Sequence, residues 1–193
     1  MVNEESTGAD VFEIARLSER ALDPRSALEI DEVFFASSTT RTFDSANERS
    51  AFRERWLGLY QRAFPETFLI GRDEAGRVAG YLAGAIVEAS SDPRFCAHGF
   101  SGALGPAAKR YPAHFHINIG ADWRSRGLGA RLVSMFRDDC RAAGVAGFHV
   151  VTRADGRNVR FYSRCGLAEV ARTGPPGGSL VLLGQAWPAT SST

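Results

Sequence analysis

The segment Arg124-Ser125-Arg126-Gly127-Leu128-Gly129-Ala130 places two arginines and two glycines just ahead of a helical hydrophobic pattern. The first amides of a helix have no carbonyl to donate to within the helix, and they carry the positive end of its dipole. An anion seated there accepts several N–H groups at once. Gly127 and Gly129 remove side chains that would hold a phosphate off the backbone, and they permit unusual φ. Arg124 and Arg126 add charge, so the turn suits a phosphate or pyrophosphate. Taken alone, it also fits a solvent-exposed glycine turn. No Gly-Lys-Ser/Thr follows, so it is not a P-loop. The glycine spacing also departs from the dinucleotide-binding fingerprint.

A second group precedes it. His114, His116 and Asn118 alternate, which puts them on one face of a strand. Imidazole titrates at about 6.5, so either histidine could act as a base; both could equally be packed or hydrogen-bonded structural groups. Cys96, Cys140 and Cys165 are scattered, with no CxxC pair, so neither a zinc site nor a disulfide framework is expected. Cys165, one residue before Gly166, reads as a packed thiol.

The elements that must position these residues follow from periodicity. Residues 11–19 alternate as a first strand. Residues 23–65 turn helical, with "SALEIDEVFFASS" and "ANERSAFRERWLGLYQRAF" as two helices. "ETFLIGRDEAGRVAGYLAGAIVEA" reads as a hairpin. The 90–112 stretch is a long Gly/Pro-rich loop, a type that is usually functional. "AHFHINIGA" is a strand. Helical spacing returns at Leu128, Leu132, Met135, Phe136 and Cys140 and stops at Gly144. "GFHVVTR" is a strand, "GRNVRFYSRCG" a short helix ending at Gly166, and "AEVART" with "SLVLLGQAW" a closing hairpin. The expected order is β-α-α-β-β-β-α-β-α-β-β, a mixed α/β (α+β) sheet with helices on it.

Composition narrows the class. A chain of 193 residues with 44% hydrophobic residues has enough material for one folded core. The expected domain is 10–188, with 1–9 and 189–193 as flexible tails. Net charge is +1, which leaves no basic footprint for nucleic acid, so any anion site is local. Lys109 is the single lysine, a skew towards arginine that reads mainly as coding bias. No apolar run reaches about 18 residues, so no membrane partner is expected. The first ten residues carry no signal-peptide pattern, and the cytoplasm is the expected location.

The glycine turn between "HINIGADW" and an amphipathic helix, followed by "NVRFYSRCGL" after another strand, resembles the GNAT superfamily, the Gcn5-related N-acetyltransferases. The likeness covers Val11 to Trp187. Within the superfamily, "GYLAG", "YPAHFHINI", "RFYSRCG" and "LLGQ" look most like the GNAT-type domain of O-GlcNAcases and its free-standing bacterial relatives. The resemblance implies a mostly antiparallel sheet of about six or seven strands, flanked by about four helices, with a splayed pair of strands at the CoA site. It implies acetyl-CoA as cosubstrate and no metal. The turn, through Arg124, Arg126, Gly127, Leu128, Gly129 and Ala130, would grip the pyrophosphate. The main chain near Ile119 would pair with the pantetheine arm. Tyr162 of the "FY" pair would give a proton to the departing sulfur; a free phenol, with pKa about 10, keeps its proton at neutral pH.

Two positions depart from the family pattern. Where many relatives carry N-x-x-A ahead of "FY", this chain has Asp155 and Asn158. A carboxylate repels phosphate, so Asp155 is expected to cap the helix, and Asn158 stays among the cofactor-binding candidates. Several relatives also place a base on the strand face formed here by Ala113, Phe115 and Ile117, which is not ionisable. The base is then His114, His116, a carboxylate of the 90–112 loop or first helices, or water. The expected acceptor is a primary amine on a small molecule or peptide, held between 23–65 and the 90–112 loop of a monomer or homodimer. The alternative from another class is a GNAT-fold module that binds acyl-CoA without transferring it.

Overall fold

The computed structural model describes residues 11–89, 91–98, 104–175 and 178–187, so the expected tails lie outside the described residues. The first strand, β1 (Glu13–Arg16), is shorter than the alternation suggested. It is followed by α1 (Pro24–Ser37). Pro24 supplies a fixed φ where no N–H bond is lost, and the Asp23 carboxylate accepts from the Ser26 amide at 2.9 Å. Ile30, Val33 and Phe34 recur at helical spacing and form its buried stripe.

The second helical pattern does not fold as one regular helix. It divides into α2 (Ala46–Arg53), a π-helical turn (Glu54–Gly58) and α3 (Leu59–Ala63). The wide turn inserts an extra residue and shifts the face that meets the sheet after it. An ion pair between Arg62 and Glu54 spans the widened turn.

Then come β2 (Phe68–Arg72), β3 (Val78–Ala85), α4 (Gly105–Arg110) and β4 (Ala113–Ile119). They are followed by α5 (Leu128–Ala142), β5 (Gly147–Arg153), α6 (Asn158–Arg164), β6 (Ala168–Thr173) and β7 (Leu180–Ala186). Helix α4 lies inside the stretch expected to be loop. At six residues it is too short to show a period, and it is held by Leu104 and Ala108 packing on Leu182.

The seven strands run in the order β1-β2-β3-β4-β5-β7-β6. Every pairing is antiparallel except β4 with β5. Helices α5 and α6 cover one face, over a core that includes Phe115, Leu132, Phe136 and Phe148. The insertion α1–α3 covers the other, over Phe34, Tyr60, Phe68 and Tyr81. Leu128, fully buried at the start of α5, sits against Gly71 of β2, where a β-carbon would stand 2.5 Å from it. This close approach fixes the helix mouth relative to the sheet. Arg16 of β1 clamps Asp139 of α5 with two hydrogen bonds of 2.7 Å.

Candidate active site

The parallel pair β4–β5 is joined only at its start, through Ala113 opposite Phe148 and His114 opposite His149. The strands part beyond that point, and the register shows which groups the parting exposes. Gly120 donates to Ala79 in the β3–β4 ladder. In antiparallel pairing the bonded and non-bonded positions alternate, so Asn118, His116 and His114 use their backbone groups towards β3. Phe115, Ile117 and Ile119 turn theirs towards β5. By this alternation, pairing that ends with His114 opposite His149 makes the Phe115 amide to the His149 carbonyl the last rung. The Phe115 carbonyl, both groups of Ile117 and the Ile119 amide then face the opening with no strand partner, a demand that an added extended chain would meet. The Ile119 carbonyl accepts from Arg124 Nε at 3.1 Å. Arg124 is thus partly occupied at the strand end and does not simply project into solvent.

Beyond Ile119 the chain makes a short 3₁₀ turn and enters the glycine segment. Ser125 has φ of 63° and is the one non-glycine residue with positive φ among the described residues; Gly127 has φ of 88°. Such φ strains a side-chain-bearing residue, and strain of this kind gathers at ligand sites. Gly127 is needed for its conformation alone, since a β-carbon there would meet nothing within 4 Å. The first bond of α5 runs from Arg131 to the Gly127 carbonyl at 3.2 Å. The amides of Leu128, Gly129 and Ala130 precede it and have no helical acceptor. No side chain caps this end.

Gly129 has a different reason from the one its motif suggests. Its missing side chain faces Phe161, whose ring atoms Cε2 and Cζ would stand 3.1 Å from a β-carbon; Ile117 Cδ1 would stand 3.8 Å away. The glycine therefore lets α6 close on α5. The two motifs, 32 positions apart in sequence, touch here beside β4.

Tyr162 follows on α6. It is 4% exposed and packs edge-on to Phe115 with ring centres 6.0 Å apart, at the point where β4 and β5 separate. Burial raises its pKa well above the ordinary phenol value, so it stays protonated. Burial likewise raises the pKa of the half-buried Cys165 thiol, which supports its reading as a packed group. Asp155 does not cap α6: its carboxylate is held by Arg153 at 2.9 and 3.1 Å, and the position before the helix is Arg157. A neighbouring guanidinium offered Asp155 a stronger partner than a helix amide. Asn158 is exposed at the first position of α6.

The histidine pair lies on the other face of the sheet from Tyr162. His114 is 2% exposed, with Nε2 3.2 Å from the Tyr60 hydroxyl and its ring edge-on to Phe95. This places it among structural groups. His116 is half-buried and meets Tyr60 edge-on at 4.8 Å, with Trp56 and Tyr81 around it. Asn118 Nδ2 donates to the Tyr81 hydroxyl at 2.7 Å. Sequence reasoning passed over Trp56 and Tyr60. The only signal for them was their i, i+4 spacing, which reads equally well as helix core. No group of histidines, cysteines and carboxylates among the described residues could hold a metal ion.

The acetyltransferase (GNAT) family profile matches residues 30–167. The chain belongs to the GNAT family. As a GNAT acyltransferase it shares its fold with many solved structures. SsHAT is 24% identical, with a TM-score of 0.64, over 91% of this chain and 98% of that one. PH1933 from Pyrococcus horikoshii OT3 is 12% identical, with a TM-score of 0.68, over 92% and 99%. The yncA protein from Salmonella typhimurium, solved with its cofactor acetyl-CoA, is 16% identical, with a TM-score of 0.57, over 95% and 97%. At these identities the likeness is one of fold. No curated protein sequence matches the chain. None of the helices among the described residues is long and apolar enough to cross a membrane.

Proposed function

We propose that this GNAT protein transfers an acetyl group from acetyl-CoA directly to a primary amine. The observation that carries the reading is the β4–β5 opening. Unpartnered backbone groups of Ile117 and Ile119 line it, a capless helix mouth stands at one end, and Tyr162 sits at its apex against Phe115. These features fit the cofactor's parts in order. The Leu128, Gly129 and Ala130 amides, with Arg124 and Arg126, would hold the pyrophosphate. Ile117 and Ile119 would pair with the pantetheine arm as an added strand does. Asn158 at the mouth of α6 completes the candidate binding set.

Acetyl-CoA supplies an activated thioester, so the chain's own tasks are orientation and proton movement. Tyr162 carries its proton at Oη and releases it to the sulfur as the C–S bond breaks, then regains one from solvent. The amine approaches from the α1–α3 side, where the half-buried Trp56 and His116 lie against the buried Tyr60. Its proton passes to water or to His116, the half-buried member of the β4 histidine pair.

A second reading has its own observation. The β4 face towards Tyr162 is Ala113, Phe115 and Ile117, with no group able to take a proton, which is what a module that binds acyl-CoA without transferring it would show. Calorimetry with acetyl-CoA, followed by a panel of amine acceptors with detection of free CoA thiol, separates the two. Binding with turnover on any amine supports transfer. Tight binding with no turnover across the panel favours the module. No binding removes both.

A further inference from the structure

The connection between α1 and α2 carries a second cluster of cations, separate from the cofactor turn. Phe34, Phe35, Phe43 and Phe52 form a ring of aromatic contacts, with centre distances of 4.9 Å (34 to 35), 6.0 Å (35 to 43), 5.4 Å (43 to 52) and 5.5 Å (34 to 52). Phe34 roots this cluster in the core at 4% exposure. A cavity of about 400 Å³ opens beside it, lined by Phe35, Thr40, Arg41, Phe43, Ser45, Ala46 and Arg49. That is the size of a small-molecule site.

Both arginines are held in place without a carboxylate. The Arg49 guanidinium carbon lies over the Phe35 ring, 3.6 Å from its centre. Arg41 donates from Nη1 to the last carbonyls of α1, Ala36 at 3.1 Å and Phe35 at 3.4 Å. Among the described residues neither pairs with an acid, whereas Arg16, Arg53, Arg62, Arg77, Arg94, Arg153 and Arg172 all do. The nearby acids in sequence, Asp44 and Glu48, do not line the cavity. Glu48 is occupied by the Asp44 amide at 2.7 Å. Two exposed guanidiniums, each engaged by a neighbouring ring or carbonyl, therefore line one open cavity with an aromatic wall.

We infer that this cavity is a binding site for a small planar carboxylate, such as an aromatic acid. The guanidinium fork matches a carboxylate bidentately, and stacking on Phe35 spares the edge N–H groups of Arg49 for that purpose. Phe35 and Phe43 offer the apolar surface that a free inorganic anion would not use.

Benzoate titrated calorimetrically into the full chain at low salt tests the site. One-site saturable binding is expected, with at least a fivefold loss of affinity in Arg49→Gln and in Arg41→Gln. Benzamide, which is planar but neutral, should not bind, and sulfate at equal ionic strength should not displace benzoate. Arg41 also ends α1, so Arg49→Gln is the deciding variant, with acetyl-CoA affinity unchanged as the sign of an intact fold. Absence of saturable binding to the wild type, or wild-type affinity in Arg49→Gln, overturns the proposal. Full displacement by sulfate overturns the carboxylate assignment by showing a general anion site.

Discussion

The Phe161 ring lies against Gly129 so closely that a β-carbon on the glycine would stand 3.1 Å from two ring atoms. This contact couples the start of α5, where a pyrophosphate would sit, to α6, which carries Tyr162. Gly129→Ala should cost about 1–3 kcal/mol, the usual range for overpacking. In a Phe161→Ala background the same change should cost less than half as much. Urea denaturation of the four proteins measures this coupling, and strict additivity would show that the ring and the glycine do not constrain each other. Gly129→Glu should lower thermal stability as well as abolish acetyl-CoA binding, because the new side chain enters the Phe161 contact.

Tyr162→Phe removes one hydroxyl and keeps the ring against Phe115. Acetyl-CoA affinity should stay within about twofold, while turnover falls at least tenfold, given that positioned proton donors contribute about 10²–10⁴-fold. Steady-state kinetics on an acceptor found by the panel, alongside calorimetry, reads both quantities. Unchanged turnover would make Tyr162 a packing residue only.

Arg124 bridges the Ile119 carbonyl and the glycine turn. Arg124→Ala should weaken acetyl-CoA binding by about tenfold, in line with a lost charge-assisted hydrogen bond. The loss should shrink with pantetheine, which lacks the phosphates. An equal loss for both ligands would mean that the arginine serves only the strand end.

His149 gives the fold a pH dependence. It is fully buried, its Nδ1 donates to the Tyr111 carbonyl at 2.5 Å, and burial holds its pKa down at about 4. The unfolded chain takes up a proton at this residue below about pH 6.5, and the native state does so only near 4. Stability from this residue is therefore complete above about pH 6.5 and falls as the pH drops towards 4. The loss by pH 5 is about 2 kcal/mol. Urea melts of wild type and His149→Asn at pH 7 and pH 5 test this; Asn keeps an N–H for Tyr111 and cannot titrate. The variant should show a smaller drop by about that amount, and an identical drop would assign the pH dependence elsewhere.

Features encoded by near neighbours were legible in the sequence. Gly144 and Gly166 end α5 and α6, with φ of 69° and 89°, as a residue without a side chain predicts. The alternation in β4 put His114, His116 and Asn118 on one face, and the glycine segment did open a helix whose first amides are free. Each of these depends on residues within about a turn of one another.

What only the tertiary structure decided depends on partners far along the chain. The backbone groups that face the β4–β5 opening follow from the register of β4 against β3, which no local pattern states. His114 became a structural group because Tyr60, 54 residues earlier, lies at its Nε2. The π-helical turn that brings Trp56 and Tyr60 to His116 is invisible in a helical hydrophobic pattern. Asp155 went to Arg153 instead of a helix amide because a charged partner stood within reach. Gly129 is the clearest case: the sequence specified a glycine at that position, and only the packing of α6 showed that it makes room for Phe161.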